Sequence, residues 1–183
     1  MKAIKKITMI AALLLGTITC IAQVKYYSTT KTFNQCGYNT YQCDVKYQEV
    51  TLYNKANKRT YKNQIFKATG KEPPLFNNPD DVLDDDWTRV KSEQIVNAAF
   101  STIERQRVKG SALGVSMFID PDSGRVIEVK FETTTFSPFA TIPVSVYRKI
   151  ETDLKDSIWF TPTTDGKKLN YIYRGWNQYI VTP

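Results

Sequence analysis

The most regular alternation of apolar and polar residues in the chain lies between Leu113 and Phe131. Alternate positions are apolar from Leu113 to Ile119 and again from Ile127 to Phe131, and the sequence between these runs, Asp120–Gly124, is DPDSG. A period of two indicates strands with one apolar face, and Pro followed by Gly is typical of a tight turn. The pattern predicts a β-hairpin whose apolar face needs a cover.

Two segments with apolar residues at helical spacing flank this hairpin. The first carries Ile95, Ala99 and Ile103 and is predicted to run from an N-cap at Ser92 to a stop at Gly110. The second begins near Pro143, a favourable first-turn residue. It places apolar residues four apart: Val146, Ile150, Leu154 and Ile158.

A last strand is predicted from Leu169 to Val181, interrupted by Gly175. Residues 92–183 are therefore predicted to form an α-β-β-α-β unit. The predicted fold class is α+β, an antiparallel sheet with helices packed on one face.

Residues 23–68 have an extended, tyrosine-rich pattern, which predicts a small antiparallel sheet of two or three strands ahead of this unit. The alternation changes phase near Gln48–Glu49, which indicates a bulge or kink. A turn at NKANK, residues 54–58, is predicted to lead into a strand at 59–66. Cys36 and Cys43 form an even pair in an exported chain, so a disulfide is expected there.

Residues 69–91 break the composition, with three prolines, a glycine and a group of carboxylates, and are predicted to be a linker. The five aspartates of this region lack the alternating spacing and the central glycine of an EF-hand loop. No metal site is therefore expected at Asp80, Asp81, Asp84, Asp85 and Asp86.

Residues 1–22 have the layout of a secretory signal peptide, with three lysines before a short apolar run and a small residue at the end. Cleavage after Ala22 is expected, and lipidation at Cys20 is the alternative, because Thr17 and Thr19 fit a lipoprotein signal poorly. Removing this segment lowers the formal charge from +7 to +4. The expected location is the periplasm or the exterior of the cell, with membrane attachment only if Cys20 is lipidated.

The composition excludes several kinds of chemistry. The chain has no histidine, so Ser-His-Asp triads, Cys-His pairs and histidine-ligated zinc are absent. Paired carboxylates for glycoside hydrolysis could be picked from Asp120, Asp122, Glu128 and Glu132. The first two lie in the predicted turn, and the last two face away from the predicted core. A solvent-facing Glu-Lys-Glu alternation accounts for the last two. We expect no enzyme activity, no cofactor and, in an exported protein, no nucleic-acid partner.

Two groups of residues are candidates for binding. The aromatics of the last strand are of the type that anchors interfaces and sugar sites: Tyr171, Tyr173, Trp176 and Tyr179. The second group consists of cations near residue 58 that could bind an acidic glycan or lipopolysaccharide phosphate: Lys55, Lys58, Arg59 and Lys62. A solvated turn at the tip of a hairpin would also account for these charges.

Residues 110–181 resemble the carboxyl-terminal domain of TonB-like proteins. The matching stretches are FIDPDSG, the return strand RVIEVKF, a helix that closes in IWFTP, and DGKKLNYIYR before the last strand. The whole chain is also similar to secreted proteins of Gram-negative bacteria that place such a domain behind a family-specific amino-terminal region. The resemblance implies a domain that presents a sheet edge and binds an extended peptide by strand addition.

The sequence thus favours an exported, non-enzymatic binding module whose partner is an envelope protein or a glycan. A carboxylate hydrolase acting on envelope polysaccharide and a purely structural or assembly protein remain as alternatives.

Overall fold

The computed structural model describes residues 24–34, 40–74, 82–84 and 87–181. The predicted signal peptide with Cys20 lies outside these residues, as do Cys36 and four of the aspartates, Asp80, Asp81, Asp85 and Asp86. Within the described ranges, no helix combines the length and the apolar character needed to cross a membrane.

Among the described residues, the main sheet has six antiparallel strands: β1 (Lys31–Phe33), β2 (Tyr41–Lys46), β3 (Glu49–Asn54), β5 (Ala112–Ile119), β6 (Val126–Thr134) and β8 (Ile172–Tyr179). Their spatial order is β1-β2-β3-β6-β5-β8. A second sheet pairs β4 (Leu83–Asp84) with β7 (Thr161–Pro162).

In the described part of the chain, three α-helices cover one face of the main sheet: α1 (Thr88–Ala99), α2 (Thr102–Val108) and α3 (Val144–Ser157). Short 3-10 turns occur at Pro138–Thr141 and Gly166–Lys168. The α+β class with an amino-terminal strand segment is confirmed.

A single apolar core lies between the helices and the sheet. On the sheet, the alternate residues predicted from Leu113 to Ile119 are buried, and on α3 so are Val146, Ile150 and Leu154. Each fully buried side chain of this size contributes about 1.5–3 kcal/mol to folding. The four-residue spacing beginning at Pro143 therefore predicts the core face of α3 correctly, and Pro143 is its N-cap.

The amino-terminal strands belong to the same sheet as the carboxyl-terminal hairpin. β3 pairs with β6 over five residue pairs, from Glu49 with Thr134 to Tyr53 with Lys130. In the predicted linker, Val82 and Leu83 are buried and α1 already begins at Thr88. The segments predicted over 23–68 and 92–183 thus share one sheet and one core.

The predicted bulge at Gln48–Glu49 is wrong, because the chain reverses there. Tyr47 and Gln48 have φ of 51° and 69° and form a two-residue turn between β2 and β3. Positive φ at both central residues is the geometry that matches hairpin twist, although Asn-Gly is its usual sequence. The strand predicted over 59–66 is also absent: the segment has no strand pairing beyond an isolated bridge at Phe66.

The helix predicted from Ser92 to Gly110 is two helices. It breaks at Phe100, and Ser101 starts α2 by accepting a hydrogen bond from the backbone N–H of Glu104, whose carboxylate accepts one in return. This capping box satisfies helix-end donors. Ser92, predicted as the N-cap, lies inside α1 and is buried, while Ile103 turns outward and is 73% exposed.

The DPDSG turn is confirmed as a chain reversal. Asp120 accepts hydrogen bonds from the backbone N–H groups of Asp122 and Ser123, at 3.1 and 2.7 Å. These bonds, led by that of Ser123, lower the pKa of Asp120. The register shifts between Phe118 and Ile119, so Ile127, predicted in the core, is only half-buried.

Gly124 gives a test of this turn. Its φ is +71°, and an added Cβ would lie 1.9 Å from the carbonyl oxygen of Phe160. Gly110 also has positive φ, at +77°, but nothing lies within 4 Å of its Cβ position. Gly110→Ala should therefore cost only the left-handed strain of about 1–2 kcal/mol. Gly124→Ala should cost at least about twice as much, because the clash is added. Denaturant unfolding measures both, and equal losses would contradict the described turn.

Candidate functional site

β8 is the edge strand of the sheet beside β5. It pairs with β5 along its whole length, from Ile172 with Ile119 to Tyr179 with Ala112. Within the described ranges, β5 supplies the backbone partners of β8. Just past the strand, the backbone N–H of Val181 is bound by the side-chain oxygen of Asn97 in α1, at 3.1 Å. Among the described parts of the chain, no strand pairs with the other side of β8, which is therefore an open edge of eight residues.

The direction of the β8 backbone groups follows from a hydrogen bond at the hairpin turn. Asp120 donates its backbone N–H to the carbonyl of Arg125, towards β6. Because N–H groups alternate between the sides of a strand, even-numbered residues of β5 face β6 and odd-numbered ones face β8. Odd residues of β5 pair with even residues of β8, as Met117 does with Arg174. The remaining residues of β8 direct their N–H and C=O groups to the open edge: Tyr173, Gly175, Asn177 and Tyr179.

The four predicted aromatics are not equivalent. Tyr173 and Tyr179 are exposed, at 43% and 62%, on the face opposite the helices. Trp176 is half-buried against the core and donates its indole N–H to Gln178. Tyr171 precedes the strand and is buried against Phe118. Two of the four, Tyr173 and Tyr179, are therefore available on the surface of the edge strand.

Gly175 and Tyr173 fit each other on this surface. The hydroxyl of Tyr173 lies 2.9 Å from Oγ of Ser116 on β5. A Cβ on Gly175 would lie 2.6 Å from that hydroxyl. The ring of Tyr173 thus covers the glycine, a device that supports a side-chain-free position in an edge strand. Gly175 does not interrupt the strand, contrary to the prediction.

The segment from Lys55 to Pro74 folds back over the sheet face opposite the helices. Glu128 on β6 anchors it and is only 5% exposed. Its carboxylate accepts the backbone N–H groups of Lys58 and Arg59, at 3.0 and 2.8 Å, and the Arg59 guanidinium at 2.8 Å. The prediction that Glu128 lies on a solvated face is therefore wrong.

A basic groove lies along this segment. We give that name to the depression of about 610 Å³ lined by residues from 58–65 and by Asn170 and Tyr171. Its floor is fixed at two points: Tyr171 donates its hydroxyl to the carbonyl of Lys62, and Ile65 donates its N–H to the side chain of Asn170 at 2.9 Å. The cations predicted to lie on a solvated turn thus lie on a segment held to the sheet.

Next to the groove, two tyrosines share one carboxylate. Tyr53 and Tyr61 donate their hydroxyls to Asp44, at 2.8 and 2.7 Å, and their rings pack edge to face. Burial opposes ionisation of Asp44, but hydrogen bonds from Tyr61, Gln42 and Tyr53 outweigh it and lower its pKa. Burial and the Asp44 carboxylate raise the pKa of Tyr61 to about 12.

The acids considered for hydrolysis have separate partners. Asp120 is bound within its own turn, Asp122 pairs with Lys67 at 3.2 Å, and Glu132 pairs with Lys130 at 2.9 Å. Glu128 is fully engaged by the 58–59 segment. Each of the four therefore has a local role in turn formation, pairing or anchoring.

The expected disulfide between Cys36 and Cys43 stays a prediction. Among the described residues Cys43 has no disulfide partner and is fully buried, with its sulfur 3.8 Å from the carbonyl of Thr29. Burial raises the pKa of its thiol to about 11, so it remains protonated at neutral pH. Cys36 lies outside the described residues. Among the described residues, no group of acids and cysteines could hold a metal ion.

Comparison with known families identifies the chain. The family model described as "Domain of unknown function (DUF5043)" matches residues 23–176. The chain belongs to the DUF5043 family. A crystal structure of a DUF5043 family protein from Bacteroides uniformis is 38% identical, with a TM-score of 0.83. The match covers 87% of this chain and 90% of that one. Comparison with the curated proteins found no match.

In this DUF5043 chain, sequence reasoning missed the residues that build the groove. Glu128 gave no signal, because its alternation with Lys130 and Glu132 is the pattern of a solvated strand face. Gln64 donates a side-chain hydrogen bond to the carbonyl of Tyr171 at 2.9 Å. Like Asn170, it is an amide residue in an irregular segment, so no sequence pattern marks it. The role of these residues depends on contacts between positions 69 to 107 residues apart, which no local pattern records.

Replacing Glu128 tests whether it anchors the segment. Glu128→Ala leaves two backbone donors and a guanidinium without their acceptor and should cost about 2 kcal/mol. Glu132→Ala, on the same strand but paired on the surface, should change stability by less than about 0.5 kcal/mol. Denaturant unfolding measures the difference, and faster amide exchange at Lys58 and Arg59 should accompany the first change. Similar small losses for both variants would rule out the anchor.

The pKa of Tyr61 predicts a loss of stability in alkali. Its folded-state pKa of about 12 lies above the ordinary 10.0, so the folded protein binds this proton more tightly than the unfolded chain. The protonated Tyr61 hydroxyl therefore stabilises the folded state fully below pH 10.0, and this stabilisation is lost as the pH rises towards about 12. The difference in tyrosinate absorbance between the wild-type protein and Tyr61→Phe should titrate near pH 12. A midpoint at the ordinary value would contradict the hydrogen bond to Asp44.

Proposed function

We propose that this protein is an exported, non-enzymatic binding module of the periplasm or cell envelope that captures an extended peptide by strand addition at β8. The observation that carries the proposal is the open edge of β8. Four residues there direct N–H and C=O groups outward: Tyr173, Gly175, Asn177 and Tyr179. An extended chain can satisfy these groups by pairing as a seventh strand.

The side chains of the same four residues provide a means of selecting the peptide. All four are exposed on the face opposite the helices. Tyr173 and Tyr179 stand at the two ends of the edge, with Gly175 and Asn177 between them. Small residues between two large rings leave room for side chains of the added strand, and alternate side chains give specificity in strand addition.

The resemblance of residues 110–181 to TonB-like carboxyl-terminal domains supports the same binding mode. Export is supported by the signal-peptide pattern in residues 1–22, and the family match begins directly after it, at residue 23. The proposal allows three locations: the periplasm, the cell exterior, or the membrane through a lipidated Cys20. In each of them the domain can meet envelope proteins.

A carboxylate hydrolase receives less support from the geometry. A glycosidase needs two carboxyl groups about 5–10 Å apart in one cleft and free to react. The four candidate acids instead bind a turn, two lysines and the backbone of the 58–59 segment. The proposal therefore assigns these acids to structure rather than to chemistry.

One backbone group distinguishes strand addition from other binding. Asn177→Pro removes an outward N–H without removing a bond to β5, and proline is tolerated on edge strands. Asn177→Ala removes the same side chain and keeps the N–H. Peptides selected from a random displayed library on the wild-type protein should bind Asn177→Ala with similar affinity and Asn177→Pro about tenfold more weakly.

Calorimetric titration of each selected peptide gives these affinities, and thermal melting verifies that both variants fold. Equal binding to Asn177→Pro and Asn177→Ala would refute strand addition at this edge. Failure of the selection to yield any peptide would refute the peptide-binding role.

A further inference from the structure

The basic groove carries an unbalanced positive charge. Three of its lining residues are cationic, Lys58, Arg59 and Lys62, and none is acidic. Arg59 is neutralised by Glu128 at 2.8 Å. Neither Lys58 nor Lys62 forms an ion pair with an acid of the described residues. Like charges gathered in a concave surface raise the local concentration of anions.

The backbone that carries these lysines is held in place before any ligand arrives. Glu128 binds the N–H of Lys58, and the N–H of Lys62 binds the carbonyl of Arg59 at 3.0 Å. Tyr171 then binds the carbonyl of Lys62 from the sheet side. A surface ordered in advance loses less conformational entropy when it binds. The groove therefore has the character of a preformed site.

The acids nearest to the groove line its two neighbouring depressions and not the groove itself. Asp44, in the adjoining depression, is occupied by three side-chain hydrogen bonds and lies beside Lys55. Glu72, on the other side, accepts a hydrogen bond from Asn63 at 2.5 Å. Lys58 and Lys62 also line the Asp44 depression, and Lys62 the Glu72 depression. Lys62 thus borders all three depressions and Lys58 borders two of them, so the two lysines form a path that connects the depressions.

Tyr61 adds an apolar surface to this path. Its side chain is 64% exposed, yet its ring orientation is set by the hydroxyl bond to Asp44 and by edge-to-face contact with Tyr53. A rigid ring with one exposed face offers contact area at little entropic cost. The site therefore combines spaced point charges with a flat apolar platform.

These features select one class of anion. Recognition of phosphopeptides relies on the bidentate fork of arginine, and the guanidinium of Arg59 already binds Glu128. The ammonium groups of Lys58 and Lys62 are point charges that suit single carboxylates or sulfates. Sugar rings bearing such groups present flat apolar faces to an aromatic ring. The open groove also lets a chain extend beyond it.

We propose that the basic groove binds an acidic oligosaccharide, a chain of sugar rings carrying carboxylate or sulfate groups. The basic groove adjoins the open edge of β8, but the residues that line it are not those of the edge.

The test measures binding of hexagalacturonate and of a heparin-derived hexasaccharide by calorimetry. Either or both should bind the wild-type protein, with affinity that falls as salt is raised. Maltohexaose, a neutral chain, should not bind. Lys58→Gln combined with Lys62→Gln should weaken binding by about tenfold or more. Lys91→Gln removes one lysine charge from an exposed position on α1 and should have no effect.

The outcomes separate this proposal from its alternatives. Absence of binding to both acidic probes would overturn it, as would an unchanged affinity in the double variant. An equal loss in Lys91→Gln would show attraction to net charge alone. Tighter, lysine-dependent binding of a phosphoserine peptide would assign the groove to a different ligand. Asn177→Pro should leave oligosaccharide binding intact, so failure at one surface is distinguishable from failure at the other.

Discussion

The pairing of β3 with β6 determines the layout of the whole molecule. Its five residue pairs place β6 inside the sheet and join the amino-terminal strands to the hairpin. Without this ladder, β6 itself would be an edge. With it, the sheet ends at the three-residue β1 on one side and at the eight-residue β8 on the other. Because β3 pairs with β6 and not with β8, β8 is left as the long exposed edge.

The same ladder determines what covers the second face of the sheet. The chain leaves β3 at Asn54 and returns across β6 instead of continuing as another strand. Glu128 fixes this path, because a nearly buried carboxylate requires donors and the 58–59 backbone supplies two. The charges carried by this segment are thereby held on one surface. An open strand edge and a basic groove therefore arise from a single sheet, on adjoining parts of its surface.

The elements with strong local periodicity were predictable from sequence. The hairpin, its DPDSG turn and α3 each depend on residues close along the chain, and their apolar faces are the core faces. The turn at Tyr47–Gln48 was mistaken for a bulge because neither residue is a usual turn former. The break before Ser101 was missed because Ile103 continues the four-residue spacing past it.

The candidate site was predictable only in part. An aromatic last strand suggested β8, and Tyr173 and Tyr179 are indeed on its surface. Whether β8 was an edge depended on strand order, which periodicity does not contain. The groove depends on long-range hydrogen bonds made by Glu128 and Tyr171. The local pattern around Glu128 indicates a solvated strand face, and that around Tyr171 indicates an interface anchor.

Amide hydrogen exchange along β8 tests the open edge most directly. The described alternation predicts slow exchange at Ile172, Trp176 and Gln178, whose N–H groups bind β5. It predicts fast exchange at Tyr173, Gly175 and Asn177, whose N–H groups face outward, and slowing of these three when a selected peptide binds. Equal protection at all six amides of the free protein would contradict the account, since the edge would then already be covered.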